Sequence, residues 1–142
     1  MRKRSISIEV NHFKNRFSVI FRIIYRRRPR PKPSGPAIEK LRAEAKAYLP
    51  GRLAELAAEH GFTYNRVVIR NNRTNWGSCS VKGNINLNLQ LMRLPAELQD
   101  FVMLHELCHL KHLNHGAEFH ALLSSLCDEK RLAKELKQFR TI

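Results

Sequence analysis

The chain has 142 residues, 43% of them hydrophobic, which suits one compact core and excludes a second domain of ordinary size. Three widely spaced cysteines, Cys79, Cys108 and Cys127, exclude a self-contained disulfide framework, since one must stay unpaired in any monomeric scheme, and the reducing cytoplasm is the expected location. The formal net charge of +14 is concentrated at one end: residues 1–35 carry eleven Lys/Arg against Glu9 alone, leaving fifteen Lys/Arg against eleven acids in the remainder.

The N-terminal arm alternates Ile6, Ile8 and Val10 with polar residues, and residues 17–25 are apolar around Arg22, the pattern of two strands of a hairpin. That apolar run is much shorter than the roughly 20 residues of a membrane span, so no transmembrane segment is expected. Pro29, Pro31, Pro33 and Pro36 then mark an extended linker. Residues 1–36 are therefore expected to form a basic arm or hairpin with a proline-rich linker, and residues 37–142 a separate domain. The arm's charge would attract nucleic acid nonspecifically or serve as a solvated strand edge.

Residues 37–60 are rich in Ala, Leu, Glu and Lys and predict a helix that Pro50 should kink or split and Gly61 should stop. Val67, Val68 and Ile69 predict a strand over 66–70, and residues 75–80 predict another, followed by a tight turn at Val81-Lys82-Gly83. Over 84–91 apolar and polar residues alternate without exception, with Ile85, Leu87, Leu89 and Leu91 on one face and Asn84, Asn86, Asn88 and Gln90 on the other. Asparagine is poor in strands, so this polar face is a candidate binding surface, with a plain solvent face as the alternative. Pro95 opens a long apolar helix, and residues 116–127 and 128–139 predict two closing helices. The order is strand arm, helix, small antiparallel sheet, central helix and helical tail.

The central helix carries the chemistry. His105-Glu106-Leu107-Cys108-His109 sets two histidines four apart, and four residues advance a helix by about 400° and about 6 Å, so both imidazoles leave one face and can share an ion. Glu106 lies about 100° around, near enough to reach a water on that ion. Zn2+ is the expected metal, with Glu106 as catalytic base and His105 and His109 as ligands. For the third ligand His115 ranks first, because a left-handed Asn114 would end the helix and swing it back, and Glu118 ranks second. His112 lies too far along the axis to share the ion with both others. The buried alternative, hydrogen-bonded core histidines, explains five of seven histidines within residues 105–120 less well. None of the cysteines has the helix start or basic neighbour that would make it a nucleophile.

The run Trp76-Gly77-Ser78-Cys79-Ser80, then Gly83-Asn84-Ile85-Asn86-Leu87-Asn88, then the histidine helix ending in His115-Gly116 with Phe119 beyond, resembles the YgjP-like metallopeptidase family, relatives of the SprT-like zinc proteases. The resemblance implies an α+β, zincin-like fold, with a small antiparallel sheet on a central metal-binding helix and flanking helices. It implies His105, His109 and His115 as zinc ligands and Glu106 as base. It also implies that residues 76–80 pack near the site, so Ser78 is not a catalytic serine. The chain departs from the family pattern in having Asn75 before the Trp-Gly-Ser-Cys run, with Arg73 close by, and Phe119-His120 where Phe-Trp is usual.

The expected function is that of a zinc metallopeptidase acting on peptide or protein, with the strand over 84–91 as a candidate edge for substrate. His112, His120, Trp76 and Arg73 are expected around the site, supporting ligands or touching substrate, and His112, His120 and Tyr64 are candidates for stabilising negative charge on the substrate. Two other readings stay open at this stage. One is a zinc hydrolase of a phosphate-bearing small molecule, using Arg70, Arg73 and the arm. The other is a non-enzymatic nucleic-acid-associated module whose structural metal would need a fourth protein ligand.

Overall fold

The computed structural model describes residues 35–141, and the expected hairpin over 5–25 lies outside them. Helix α1 (Pro36–His60) starts with proline at its first turn, where φ is already set for a helix and no N–H is missed. It ends at Gly61, whose φ of 72° is left-handed, and the next amide, Phe62, reaches back 2.8 Å to the Ala57 carbonyl. Pro50 does not split this helix. Ala45, Leu49, Leu53 and Leu56 form one buried stripe across the proline, and their packing holds both halves in a single element.

Strands β1 (Arg66–Arg70), β2 (Gly77–Cys79) and β3 (Asn84–Asn88) form a sheet in the order β1-β3-β2. The expected antiparallel sheet is in fact mixed: β2 pairs antiparallel to β3, with Gly77 opposite Leu87, but β1 runs parallel to β3, with Val67 opposite Ile85. Residues 71–76 carry the chain across the C-terminal end of β3, so β3 lies in the middle and is not the edge that a substrate strand could join. The turn at Val81-Lys82-Gly83 occurs as expected, with Gly83 at φ 78°.

β3 also stops at Asn88, and Leu89–Arg93 is a 3-10 helix, so the alternation over 84–91 does not continue as strand. Asn88 and Gln90, expected to face outward, are 0% and 1% exposed. The Asn88 side-chain amide donates to the carbonyls of Asn72 (2.7 Å) and Asn75 (2.9 Å), and its Oδ1 accepts from the Gln90 backbone at 3.0 Å. Gln90 Nε2 donates to Asn71 Oδ1 at 3.0 Å. These two side chains pin the crossing loop. The remaining asparagines of the supposed binding face are likewise engaged within the fold: Asn84 accepts from Asn65, while Asn86 accepts from Arg70 and donates to Ser78.

Helix α2 (Ala96–Cys108) is buried continuously from Phe101 to Cys108, packed between the sheet, α1 and the closing helices α3 (Ala117–Leu126) and α4 (Glu129–Leu136). Arg52 of α1 grips Asp100 of α2 through two hydrogen bonds of 3.0 and 2.8 Å. Gln99 satisfies the carbonyls of Leu91 and Leu94, joining the 3-10 helix to α2.

Candidate metal centre

The site begins where α2 ends. His105 lies in the last turn of the helix and is 4% exposed; His109 is the cap, after which the chain tightens through bonds from Leu110 to Leu107 and from Lys111 to Cys108. The reversal that returns His115 is therefore built from this tightened turn and the bends at Leu113 and Asn114. A left-handed Asn114 is not used, since no described non-glycine residue has positive φ.

The three rings meet. Nε2 of His109 lies 3.2 Å from Nε2 of His105, and Nε2 of His115 lies 3.1 Å from it. Zinc–nitrogen bonds of about 2.0–2.1 Å in a tetrahedron separate ligand nitrogens by about 3.3 Å, so the two distances along His105 suit such an ion, and the three ligand atoms all lie within 4.8 Å of one another. Nδ1 of His109 is 3.1 Å from the His112 carbonyl oxygen, an acceptor, so Nδ1 carries the proton and Nε2 presents its lone pair inward. Burial, with the neighbouring His109, His115 and His120, holds His105 well below the ordinary imidazole range, and burial lowers His109 as well. Neutral imidazole is the form that binds a metal. Among the described residues, no further His, Cys, Asp or Glu joins this trio.

Glu106 is 2% exposed, and burial pushes its carboxyl up to about 8. Its Oε2 is buried with no hydrogen-bond partner among the described residues. The side chain owes its position to Gly77 at the start of β2. A Cβ there would lie 3.0 Å from Glu106 Cγ, 3.1 Å from Oε1 and 3.2 Å from the Asn86 carbonyl oxygen. The role of Gly77 went unread in the sequence. Its only signal was its place in the Trp-Gly-Ser-Cys run, and β2 is indeed the strand that packs on α2 beside the trio.

The other expected residues fall in different places. His112 pairs with Glu118 at 3.4 Å, and Glu118, the second choice as ligand, is 86% exposed and outside the trio. His120 Nδ1 is bonded to Glu129, which also accepts from Ser124 Oγ at 2.7 Å; its ring centroid is 6.5 Å from that of His115, so it borders the site without joining the trio. Trp76 is buried in the core, and its carbonyl accepts from the Asn88 amide. The Arg73 carbonyl accepts from Thr141 Oγ1, and Tyr64 packs against the core edge. Ser78 Oγ accepts from Asn86. The three thiols are unpaired and pushed up by burial, to about 11 for Cys79 and Cys127 and about 12 for Cys108, which argues against any of them as a nucleophile.

A small mixed sheet over a buried helix that ends in convergent imidazoles, beside a buried carboxylate, is the arrangement of the zincin-like metallopeptidases. The model of the family described as YgjP-like, metallopeptidase domain, matches residues 22–139, and the chain belongs to that family. Two solved structures are similar to it. The metallopeptidase zymogen of Pyrococcus abyssi abylysin aligns with a TM-score of 0.52 and 27% identity, over 61% of this chain and 85% of that one. The metallopeptidase zymogen of Methanocaldococcus jannaschii jannalysin aligns with a TM-score of 0.54 and 23% identity, over 61% of this chain and 90% of that one, a likeness of fold. Among the curated proteins compared, none matches. No helix of the described residues is long and apolar enough to cross a membrane.

Proposed function

We propose that this metallopeptidase uses zinc held by His105, His109 and His115, with Glu106 as general base. The observation that carries the reading is the approach of three Nε2 atoms to within 3.1–3.2 Å along His105, beside a buried carboxylate with an unengaged oxygen. A zinc ion there supplies Lewis acidity to the scissile carbonyl and to the attacking water. Glu106 takes the proton from that water as its oxygen bonds to the carbonyl carbon, and then delivers the proton to the amine nitrogen as the C–N bond breaks. Burial raises the Glu106 carboxyl, which eases its return of the proton to the amine nitrogen. His109 is held in the metal-binding tautomer by the His112 carbonyl, and Gly77 leaves the space in which Glu106 sits.

Peptide would lie extended along the free side of β2, the outer strand nearest the site among the described residues, with backbone hydrogen bonds supplying affinity. The family match favours peptide over the phosphate-ester reading. Among the described residues, the structural-metal reading finds no fourth protein ligand. Three unpaired thiols fit a reducing cytoplasm.

The test is hydrolysis of an unfolded protein by the zinc-loaded chain beside its Glu106→Gln variant. The variant should retain one zinc and lose activity by about 100-fold or more. Undiminished activity in the variant would remove Glu106 from the mechanism, and absence of zinc from the wild type would remove the metal.

A further inference from the structure

Phe119 has no role in the scheme above, yet it touches every part of the trio. It comes from the first turn of α3, is fully buried, and its ring centroid lies 4.9 Å from that of His105, 4.7 Å from His109 and 4.8 Å from His115. The imidazole centroids are themselves 4.9, 5.1 and 4.6 Å apart. A point almost equidistant from three rings lies on the axis about which they are arranged. The phenyl fills one end of that axis, so a metal held by the three imidazoles would meet an apolar wall on that side.

The contacts are of two kinds. Phe119 stacks on His109, with planes 28° apart, and meets His105 and His115 edge to face at 71° and 76°. Both are favourable aromatic arrangements, and together they oppose rotation of each imidazole out of the convergent pose. The phenyl also offers no hydrogen bond to water, which disfavours a solvent molecule behind the three imidazoles.

We propose that Phe119 is a positioning residue of the metal centre, a dry plug that keeps the three imidazoles convergent and confines exchangeable coordination to the side facing substrate. The proposal rests on the zinc reading, and its test separates the two. Zinc affinity is measured by chelator competition, and the coordination number by the visible absorption of the cobalt(II)-loaded protein, whose bands weaken when four-coordination gives way to five or six. Phe119→Leu is compared with Leu123→Val, which trims an equally buried residue one turn further along α3 that has no ring to set against the histidines.

Phe119→Leu should weaken zinc binding by about 10- to 100-fold, the usual effect of removing a residue that supports metal ligands, and should dim the cobalt bands. Leu123→Val should lower the melting temperature while leaving both readings unchanged. If Phe119→Leu does not fold, Phe119→Met serves, with the same expectation. Wild-type affinity and spectrum in the Phe119 variant, or equal weakening in both variants, would overturn the plug while leaving the zinc reading in place. A wild-type chain that takes up no ion would overturn both.

Discussion

At the scale of single residues, the proposed base, Glu106, depends on a neighbour that has no side chain. Gly77 leaves room for Glu106, and an alanine there would have to displace either that carboxylate or the backbone of β3. Gly77→Ala should therefore lower kcat by about 100-fold, the order expected for a shift of about 1 Å in a catalytic group, with zinc content unchanged. Equal activity in the variant would show that the pocket relaxes without cost. The thiols offer a second check at this scale. Burial raises all three, so their contribution to stability is complete below the unfolded thiol value of about 8.5 and is lost as pH rises toward the folded values of about 11 and 12. At pH 8 iodoacetamide should alkylate the native chain far more slowly than the chain unfolded in urea, and the gap should narrow above about pH 11 for Cys79 and Cys127 but only above about pH 12 for Cys108. A thiol that reacted at pH 8 as fast in the native as in the unfolded chain would contradict that assignment.

At the scale of elements, the local parts of the architecture could be read from the sequence and the distant pairings could not. The His105–His109 spacing, the Gly61 stop and the turn at Gly83 are fixed by neighbours in the chain, and all three occur where expected. Parallel pairing of β1 with β3 depends on residues that lie apart in sequence, and nothing in the alternation of residues 84–88 distinguishes a central strand from an edge. Asn88 and Gln90 misled for a related reason. Polar residues at every second position normally mean solvent, but these two are buried because residues 71–76 need hydrogen-bond partners as they cross the end of β3. Asn88→Ala should thus destabilise the fold by about 1–3 kcal/mol for each buried group left unpaired, visible as a lower urea midpoint with an unchanged slope. A variant within about 0.5 kcal/mol of wild type would mean that water takes over those bonds.

At the scale of the whole molecule, the proposed metal centre and its supports occupy, among the described residues, a small part of the chain. Gly77, the histidine trio, Glu106 and Phe119 all lie between residues 77 and 119, and α1 contributes by bracing α2 through Arg52 and Asp100. We propose on this basis that residues 1–36 are an appendage to the centre. Because the family match begins at residue 22, the decisive comparison is between chains lacking residues 1–21 and residues 1–34. Both should bind one zinc per chain, as measured by metal analysis after gel filtration. Loss of zinc from the shorter chain alone would place residues 22–34 within the domain.

The short span of the proposed ligands would affect how zinc and folding are coupled. His105, His109 and His115 are close in sequence, so a chain that has lost its sheet and its other helices still carries all three on one short segment. Such a segment can capture zinc without the rest of the fold, and an ion that binds both states stabilises the native one only by the ratio of the two affinities. The rise in melting temperature on adding zinc should accordingly fall short of what the native affinity alone would predict. Urea-unfolded protein should compete measurably with a chelator for the metal.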